Sequence, residues 1–119
     1  MFDTAIHTIG LAAAAVIIYV TGVWLTRSGR PFNAVLLTVH KLLSLAFLIF
    51  FGVLVYNASP LTFFDWTFVV SAAVLSIVSF TSGGVLTVLE KAPSWAIWSH
   101  RIGVWLNGMA IALCIIRIV

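Results

Sequence analysis

Charged side chains are scarce in this sequence. It has six Lys or Arg and three Asp or Glu among 119 residues, whereas 63% of the residues are hydrophobic. That balance lies far outside the usual composition of soluble domains and is typical of chains dissolved in lipid. The scarcity of charge therefore excludes an ordinary soluble domain and indicates an integral membrane protein in contact with the lipid bilayer.

Cysteine and the motifs of soluble enzymes are also scarce. Cys114 is the only cysteine, so no disulfide can form within the chain, and we interpret it as a small apolar packing residue. The sequence contains no phosphate-binding glycine loop, nucleophile elbow or zinc-ligand spacing. Its basic residues are spread along helix ends instead of forming a patch, so nucleic-acid binding is not expected.

Short polar interruptions divide the chain into four long apolar segments. A hydrocarbon core of about 30 Å requires roughly 20 residues of helix, and each segment is long enough to cross it. The interruptions at 27–31, 57–60 and 90–93 each contain proline, a residue that does not continue a helix from within. The fold class is therefore all-α, as one transmembrane domain over 1–119 that forms an integral membrane four-helix up-down-up-down bundle. The predicted helices cover 5–26, 34–56, 63–89 and 94–119.

Local signals mark two of the helix starts. Asn33 is expected to be the N-cap of the second helix. Thr62 and Asp65 have the spacing of a capping box, so the third helix should begin there. Residues 1–25 lack a basic n-region and run directly into further spans, which favours a retained helix over a signal peptide.

Basic residues are divided unevenly between the two ends of the helices. Only Arg117 lies on the side opposite to the first and third connections. The positive-inside rule therefore predicts a plasma or inner membrane protein with those two connections in the cytoplasm and both termini outside. The residues on or near the two connections are Arg27, Arg30, Lys41, Lys91 and Arg101.

Two histidines lie at matching depths in the second and fourth helices. His40 and His100 each fall about six residues inside a helix that starts at the cytoplasmic face, or roughly 9 Å along its axis. Each is followed by a basic residue, Lys41 or Arg101. A charge at that depth is costly unless it reaches water or pairs, so the two basic residues are either interfacial anchors whose charged ends reach water or partners of an acidic group.

Glycines of the first and third helices are predicted to lie at the same level. Gly22 precedes Pro31 by nine residues, as Gly84 precedes Pro93, which is a faint internal repeat. Gly22 and the pair Gly83 and Gly84 therefore share a layer of the bundle with the histidines. The missing side chains would admit the edges of a large flat ligand.

The geometry of a four-helix bundle relates the two histidines to one another. When sequential helices are neighbours, helices two and four lie on a diagonal of roughly 11–14 Å. Two imidazoles and one metal ion can bridge that distance, which is the arrangement of a bis-histidine haem. The predicted metal ligands are His40 and His100, with Lys41 and Arg101 as partners of the haem propionates.

With His40-Lys41, His100-Arg101 and the glycines of the same layer, the chain resembles the small four-helix membrane b-type cytochromes over its whole length. The resemblance implies a haem b cofactor and electron transfer, as one component of an oxidoreductase with a quinone or a redox protein as its partner. Two histidine ligands would leave the iron six-coordinate, which favours electron transfer over oxygen chemistry.

The sequence departs from that class in one respect. Its members commonly hold two haems at opposite leaflets, whereas this chain has one matched histidine pair. One haem near the cytoplasmic side cannot by itself carry electrons across about 30 Å of hydrocarbon. A homodimer that joins two His7 residues around another haem would supply the missing step, and an unchanged haem-to-protein ratio in His7→Ala would exclude it.

Alternatives to haem binding stay open at this point. The two histidines are also explained as buried side chains hydrogen-bonded to a helix carbonyl or a serine, and the glycines as sites of close helix packing. A small oligomeric membrane transporter or channel is the main alternative function, although all three acidic residues lie at helix ends. A noncatalytic membrane subunit is a third interpretation.

Overall fold

The structure, a computed structural model, describes residues 4–58 and 60–118, and in these residues it contains helices and no strand. All four helices are long and apolar enough to cross a membrane. The all-α fold class is thereby confirmed, and the helix ends differ from the predicted ones by no more than two residues. Val119, the predicted end of the fourth helix, lies outside the described residues. The helices are α1 Thr4–Ser28, α2 Ala34–Asn57, α3 Phe63–Val88 and α4 Ser94–Ile118.

Glycine and asparagine set the connection between α1 and α2. Gly29 has φ 70°, the left-handed conformation that ends a helix and that glycine adopts without steric cost. Asn33 Oδ1 then accepts hydrogen bonds from the backbone N–H groups of Val35 at 3.0 Å and Leu36 at 3.1 Å. The predicted N-cap is therefore confirmed.

A complete capping box starts α3. The Thr62 hydroxyl accepts from the backbone N–H of Asp65 at 3.2 Å, and Asp65 Oδ2 accepts from the backbone N–H of Thr62 at 2.9 Å. The helix ends at Leu89, whose backbone is extended. Pro93 follows, and its carbonyl accepts the backbone N–H of Ala96 at 3.0 Å in the first turn of α4. The predicted capping box is confirmed.

The chain divides into two compact units, residues 1–57 and 58–119, each containing one helical hairpin. In the first hairpin, α1 and α2 run antiparallel, because Thr21 near the end of α1 contacts His40 near the start of α2. At the other end of the same hairpin, the rings of His7 and Phe50 lie with centroids 5.6 Å apart.

The second hairpin, α3 and α4, is also antiparallel. Ser82 near the end of α3 contacts His100 near the start of α4, and Asp65 at the start of α3 pairs with Arg117 at the end of α4. Each hairpin therefore has a histidine end, next to its own connection, and an opposite end.

The buried residues between the helices, which we call the seam, differ between the hairpins. In the first hairpin, Leu11, Leu25 and Phe51 are the buried large apolar side chains. In the second hairpin the buried positions are mostly small, and three of those in α4 recur at intervals of seven residues, Ala96, Gly103 and Ala110. A stripe of small residues allows helix backbones to approach closely in lipid. The second seam also includes Ala72, Ser76, Ser79, Ser82 and Cys114.

Large apolar side chains cover the outer surfaces of both hairpins. Val35 and Ile116, for example, are 73% and 74% exposed within the chain. All five tryptophans are likewise at least half exposed. Surfaces of this kind suit a hydrocarbon environment, since lipid solvates apolar side chains as well as a protein interior does. The predicted aromatic belt at the membrane boundaries stays a prediction.

Candidate functional site

The first hairpin holds the imidazole of His40 against α1. Its Nδ1 lies 2.8 Å from the hydroxyl oxygen of Thr21. The same hydroxyl oxygen lies 2.9 Å from the carbonyl oxygens of both Ile17 and Ile18, one turn earlier in α1. A Cβ atom added at Gly22 would lie 3.1 Å from Cε1 of His40. The glycine therefore provides the space in which the half-buried imidazole lies.

The second hairpin holds His100 against α3 in the same way. Its Nδ1 lies 3.0 Å from the carbonyl oxygen of Ser79 and 3.3 Å from the hydroxyl oxygen of Ser82. The Ser82 hydroxyl donates to the carbonyl of Val78 at 2.7 Å. A Cβ atom added at Gly83 would lie 3.0 Å from Cε1 of His100, so this imidazole also occupies the space beside a glycine.

The two arrangements are equivalent position by position. Thr21 and His40 are 19 residues apart in the chain, and Ser82 and His100 are 18 apart. In both hairpins a hydroxyl residue and the glycine after it contact the imidazole of the facing helix. The structure therefore supports an internal repeat of the histidine environment. In this repeat Gly22 corresponds to Gly83. The spacing to proline had indicated Gly84, which is one residue later.

The three predicted glycines have different surroundings. Gly22 and Gly83 each lie against the histidine of their own hairpin, whereas a Cβ at Gly84 would meet none of the described atoms within 4 Å. The space beside the first two glycines is thus filled by imidazole. That a flat ligand fits beside these glycines stays a prediction. Of the three glycines, Gly84 has open space beside it.

Lys41 and Arg101 follow the two histidines directly and are exposed. Successive residues of a helix point about 100° apart. Each basic residue is therefore next to its histidine in the helix, but its side chain points in a direction about 100° around the helix axis from the imidazole. Their predicted role as propionate partners stays a prediction.

A haem and a metal ion held by protein ligands alone require different numbers of ligands from the protein. Among residues 4–58 and 60–118, no group of three or more His, Cys, Asp or Glu side chains is placed to hold a metal ion. A haem iron takes four ligands from the porphyrin and needs only one or two from the protein. His40 and His100 each lie within their own hairpin, and their joint ligation of an iron stays a prediction.

His7 is half buried at the opposite end of the first hairpin from His40. The sequence showed no partner for it, and the structure places its ring beside Phe50, inclined at 44°. This contact orients the imidazole at the hairpin end. The homodimer in which two His7 residues bind another haem stays a prediction.

Two polar contacts in the second hairpin were not predicted. Asn107 donates to the Ser76 hydroxyl at 3.0 Å between the middle turns of α3 and α4. Arg117 Nε donates to Asp65 Oδ1 at 2.6 Å at the end of the hairpin farthest from His100. The sequence contained a signal for the first contact, because Asn107 is a single amide in the middle of an apolar segment. Polar groups within membrane helices commonly form hydrogen bonds with a neighbouring helix.

In comparisons with known proteins, no family model, no curated protein and no solved structure matches this chain.

Proposed function

We propose that this chain is a membrane b-type haem protein that carries out electron transfer, with His40 and His100 as the two axial ligands. The observation that carries the proposal is the repeat of one arrangement in both hairpins. Each hairpin holds one imidazole beside a glycine and engages its Nδ1 in hydrogen bonds. This duplication supports a site that takes one ligand from each half.

The hydrogen bonds at Nδ1 are those that the structural alternative predicts for buried histidines, and they are also those that a metal-binding histidine requires. Histidines that bind metals almost always donate their other ring N–H to a carbonyl, carboxylate or water, which fixes the tautomer and the ring orientation. His100 Nδ1 lies 3.0 Å from the Ser79 carbonyl oxygen, which can only accept, whereas His40 Nδ1 lies 2.8 Å from the Thr21 hydroxyl, which can donate or accept. Ionisable residues within membrane helices are rare and mark functional sites by default.

In this proposal the two hairpins form an up-down-up-down bundle in which a haem lies between α2 and α4. Lys41 and Arg101 pair with the propionates, and Gly84 admits a porphyrin edge. Gly22 and Gly83 seat the ligands. When bound, the haem supplies one-electron chemistry, and two imidazole ligands leave the iron no open position for oxygen.

The proposed setting is a plasma or inner membrane, with the haem near the cytoplasmic face and both termini outside. The asymmetry of basic residues supports this orientation. Electrons would pass to or from a quinone or a redox protein, because one haem near one face spans only part of a hydrocarbon core of about 30 Å.

The test is an absorption spectrum of the detergent-purified protein, oxidised and dithionite-reduced, with a pyridine haemochrome assay. We expect a six-coordinate low-spin b-type spectrum that is lost in His40→Ala and in His100→Ala. His7→Ala removes the histidine at the other end of the first hairpin, so it should keep the spectrum of the His40–His100 haem and should lower the haem-to-protein ratio only if two His7 residues bind another haem in a homodimer. Loss of the spectrum in His7→Ala alone would contradict the assignment of ligands.

A wild-type protein that stays colourless after expression with added haem precursor would contradict the proposal itself. That outcome would favour a small oligomeric transporter or channel, or a noncatalytic membrane subunit. Both alternatives explain the four apolar helices without a cofactor.

A further inference from the structure

We infer that a groove on the second hairpin binds a membrane quinone, which is a flat conjugated ring with two carbonyl oxygens and an apolar tail. The groove lies between α3 and α4 and has a volume of about 360 Å³, within the range of small-molecule sites in proteins. The binding of a quinone depends on the groove alone. The use of that quinone as the electron partner rests on the proposed function.

Large apolar side chains and two small residues line the groove. Ser99 and Gly103 are one helical turn apart in α4. A Cβ atom added at Gly103 would lie 3.5 Å from Val78 Cγ1 of α3, so the missing side chain leaves space for a flat ring beside α3. The large lining residues are Leu75 and Val78 of α3 and Trp95, Trp98, Ile102 and Leu106 of α4.

Ser99 supplies the only hydroxyl group among the described residues that line the groove. A serine within a helix commonly donates to the carbonyl four residues earlier, as Ser28 does to Trp24 at 2.8 Å. Ser99 is half-buried, and its hydroxyl forms no such bond with Trp95 or with another residue that the structure describes. A hydroxyl without a partner is unfavourable in an apolar environment. The groove therefore favours a ligand that brings a hydrogen-bonding atom to Ser99.

The two tryptophans of the groove add further hydrogen-bond donors. An indole N–H can donate, and the ring has no acceptor atom. Trp95 and Trp98 are 58% and 59% exposed, and neither donates to an acceptor within residues 4–58 and 60–118. Apart from the oxygen of Ser99, the lining side chains carry no acceptor. A ligand that complements this groove therefore has acceptors and an apolar body.

A quinone has this combination of properties. Its carbonyl oxygens only accept hydrogen bonds, its ring can stack on an indole, and its tail suits hydrocarbon. Ser99 lies five residues inside α4, or roughly 7.5 Å from the start of the helix. A hydrocarbon chain at that level fits the apolar walls but leaves the hydroxyl unpaired. The unpaired donors therefore favour a quinone over an acyl chain.

The groove lies at the level of the proposed haem ligand. Ser99 directly precedes His100 in α4, so the two Cα atoms are about 3.8 Å apart and their side chains point about 100° apart around the helix axis. A quinone bound at Ser99 would therefore lie beside α4 at the same depth as His100.

Binding is tested without haem by ¹⁹F NMR of full-length protein that contains 5-fluorotryptophan, titrated in detergent with decylubiquinone. We expect saturable shifts of the Trp95 and Trp98 signals, while those of Trp24 and Trp66, which do not line the groove, stay unchanged. Ser99→Ala should weaken binding roughly 3- to 10-fold, the equivalent of one hydrogen bond.

The matched control is Ser28→Ala. Ser28 is four residues after Trp24, as Ser99 is after Trp95, but its hydroxyl already donates to the helix. This variant should bind decylubiquinone as the wild type does. An unchanged affinity in Ser99→Ala, or equal shifts of all tryptophan signals, would overturn the inference.

Decylbenzene separates a quinone site from a general lipid site, because it has a flat ring and the tail but no carbonyl. We expect it to bind the wild type more weakly than decylubiquinone does and to be insensitive to Ser99→Ala. Equal affinity of the wild type for both compounds would overturn the inference in favour of a lipid site. A colourless protein that binds decylubiquinone would refute the proposed function alone, whereas a haem-loaded protein without saturable shifts would refute the quinone site alone.

Discussion

The two hairpins share the environment of one histidine and differ in most of what packs around it. Thr21, Gly22 and His40 of the first correspond to Ser82, Gly83 and His100 of the second. The seams away from these residues are unlike, with large apolar side chains in the first hairpin and small or polar ones in the second. The feature that the halves have in common is thus the seating of the imidazole, which is what a two-ligand site would require of both.

The second hairpin has more interhelical contacts of the kind that stabilise helices in lipid. Apolar burial gives little driving force between membrane helices, so close packing and interhelical hydrogen bonds carry more of the stability. The second hairpin has a small-residue seam, the Ser76–Asn107 contact and the Asp65–Arg117 ion pair. The first hairpin has larger side chains between its helices, so we expect its stability to depend more on contacts with its surroundings.

The largest expected effect comes from filling the space beside the histidines. Gly22→Ala and Gly83→Ala would place a Cβ 3.1 and 3.0 Å from an imidazole carbon. Each imidazole would have to move by a few tenths of an ångström. If this displacement costs the proposed iron ligation about 1–3 kcal/mol, haem affinity falls roughly 5- to 150-fold in each variant. Haem titration of the purified variants measures it.

Gly52→Ala is the matched control, since its added methyl group would meet none of the described atoms within 4 Å and Gly52 lies at the end of α2 opposite to His40. Unchanged affinity in Gly83→Ala would contradict the seating role. A loss confined to Gly22→Ala would show that the two halves are not equivalent. A loss in Gly84→Ala would locate a porphyrin edge beside that residue.

A smaller effect is expected from the polar seam of the second hairpin. Asn107→Ala removes the donor to Ser76 between α3 and α4. Interhelical hydrogen bonds of this type are worth about 1 kcal/mol in membrane proteins, so the free energy of unfolding of the full chain in detergent should fall by about that amount. Met109→Ala, at an exposed neighbouring position, is the control. An equal decrease in the free energy of unfolding in both variants would contradict a stabilising role of the Ser76–Asn107 hydrogen bond in the seam of the second hairpin.

The smallest effect is expected at the end of the second hairpin far from His100. Arg117→Gln removes the ion pair with Asp65, but the arginine side chain is 45% exposed, so solvent and salt screen the interaction. We expect a small decrease in Tm at low salt that disappears at high salt. Lys91→Gln, at the other end of the hairpin, should show no such salt dependence. A decrease in Tm that persists at high salt would indicate a structural role beyond charge pairing.

Much of the helical organisation could be predicted from local sequence. The Thr62–Asp65 spacing located the start of α3, and Asn33 located the start of α2, because capping depends on residues within one turn. The depths of His40 and His100 followed from counting residues along helices whose ends were known. Short-range signals of this kind do not depend on the other helices.

The sequence could not identify which glycine faces the histidine. A shift of one residue turns a side chain by about 100° around a helix, so Gly83 and Gly84 face different surroundings although both lie at the predicted level. A helix carbonyl or a serine was expected beside each buried histidine in the structural alternative, and both are present at His100, but the sequence did not identify the Thr21 hydroxyl or the Ser79 carbonyl. Such contacts depend on the rotation of two helices about their own axes.

The sequence by itself thus determined the all-α class, the four helices and their ends, because hydropathy, prolines and caps act locally along the chain. The tertiary structure decided the register of each hairpin, which placed Gly22 and Gly83 against imidazoles and joined Ser76 to Asn107. The physical reason is that the backbone hydrogen bonds of a helix form within one segment. A hydrogen bond or a close contact between two helices depends instead on the position and rotation of both.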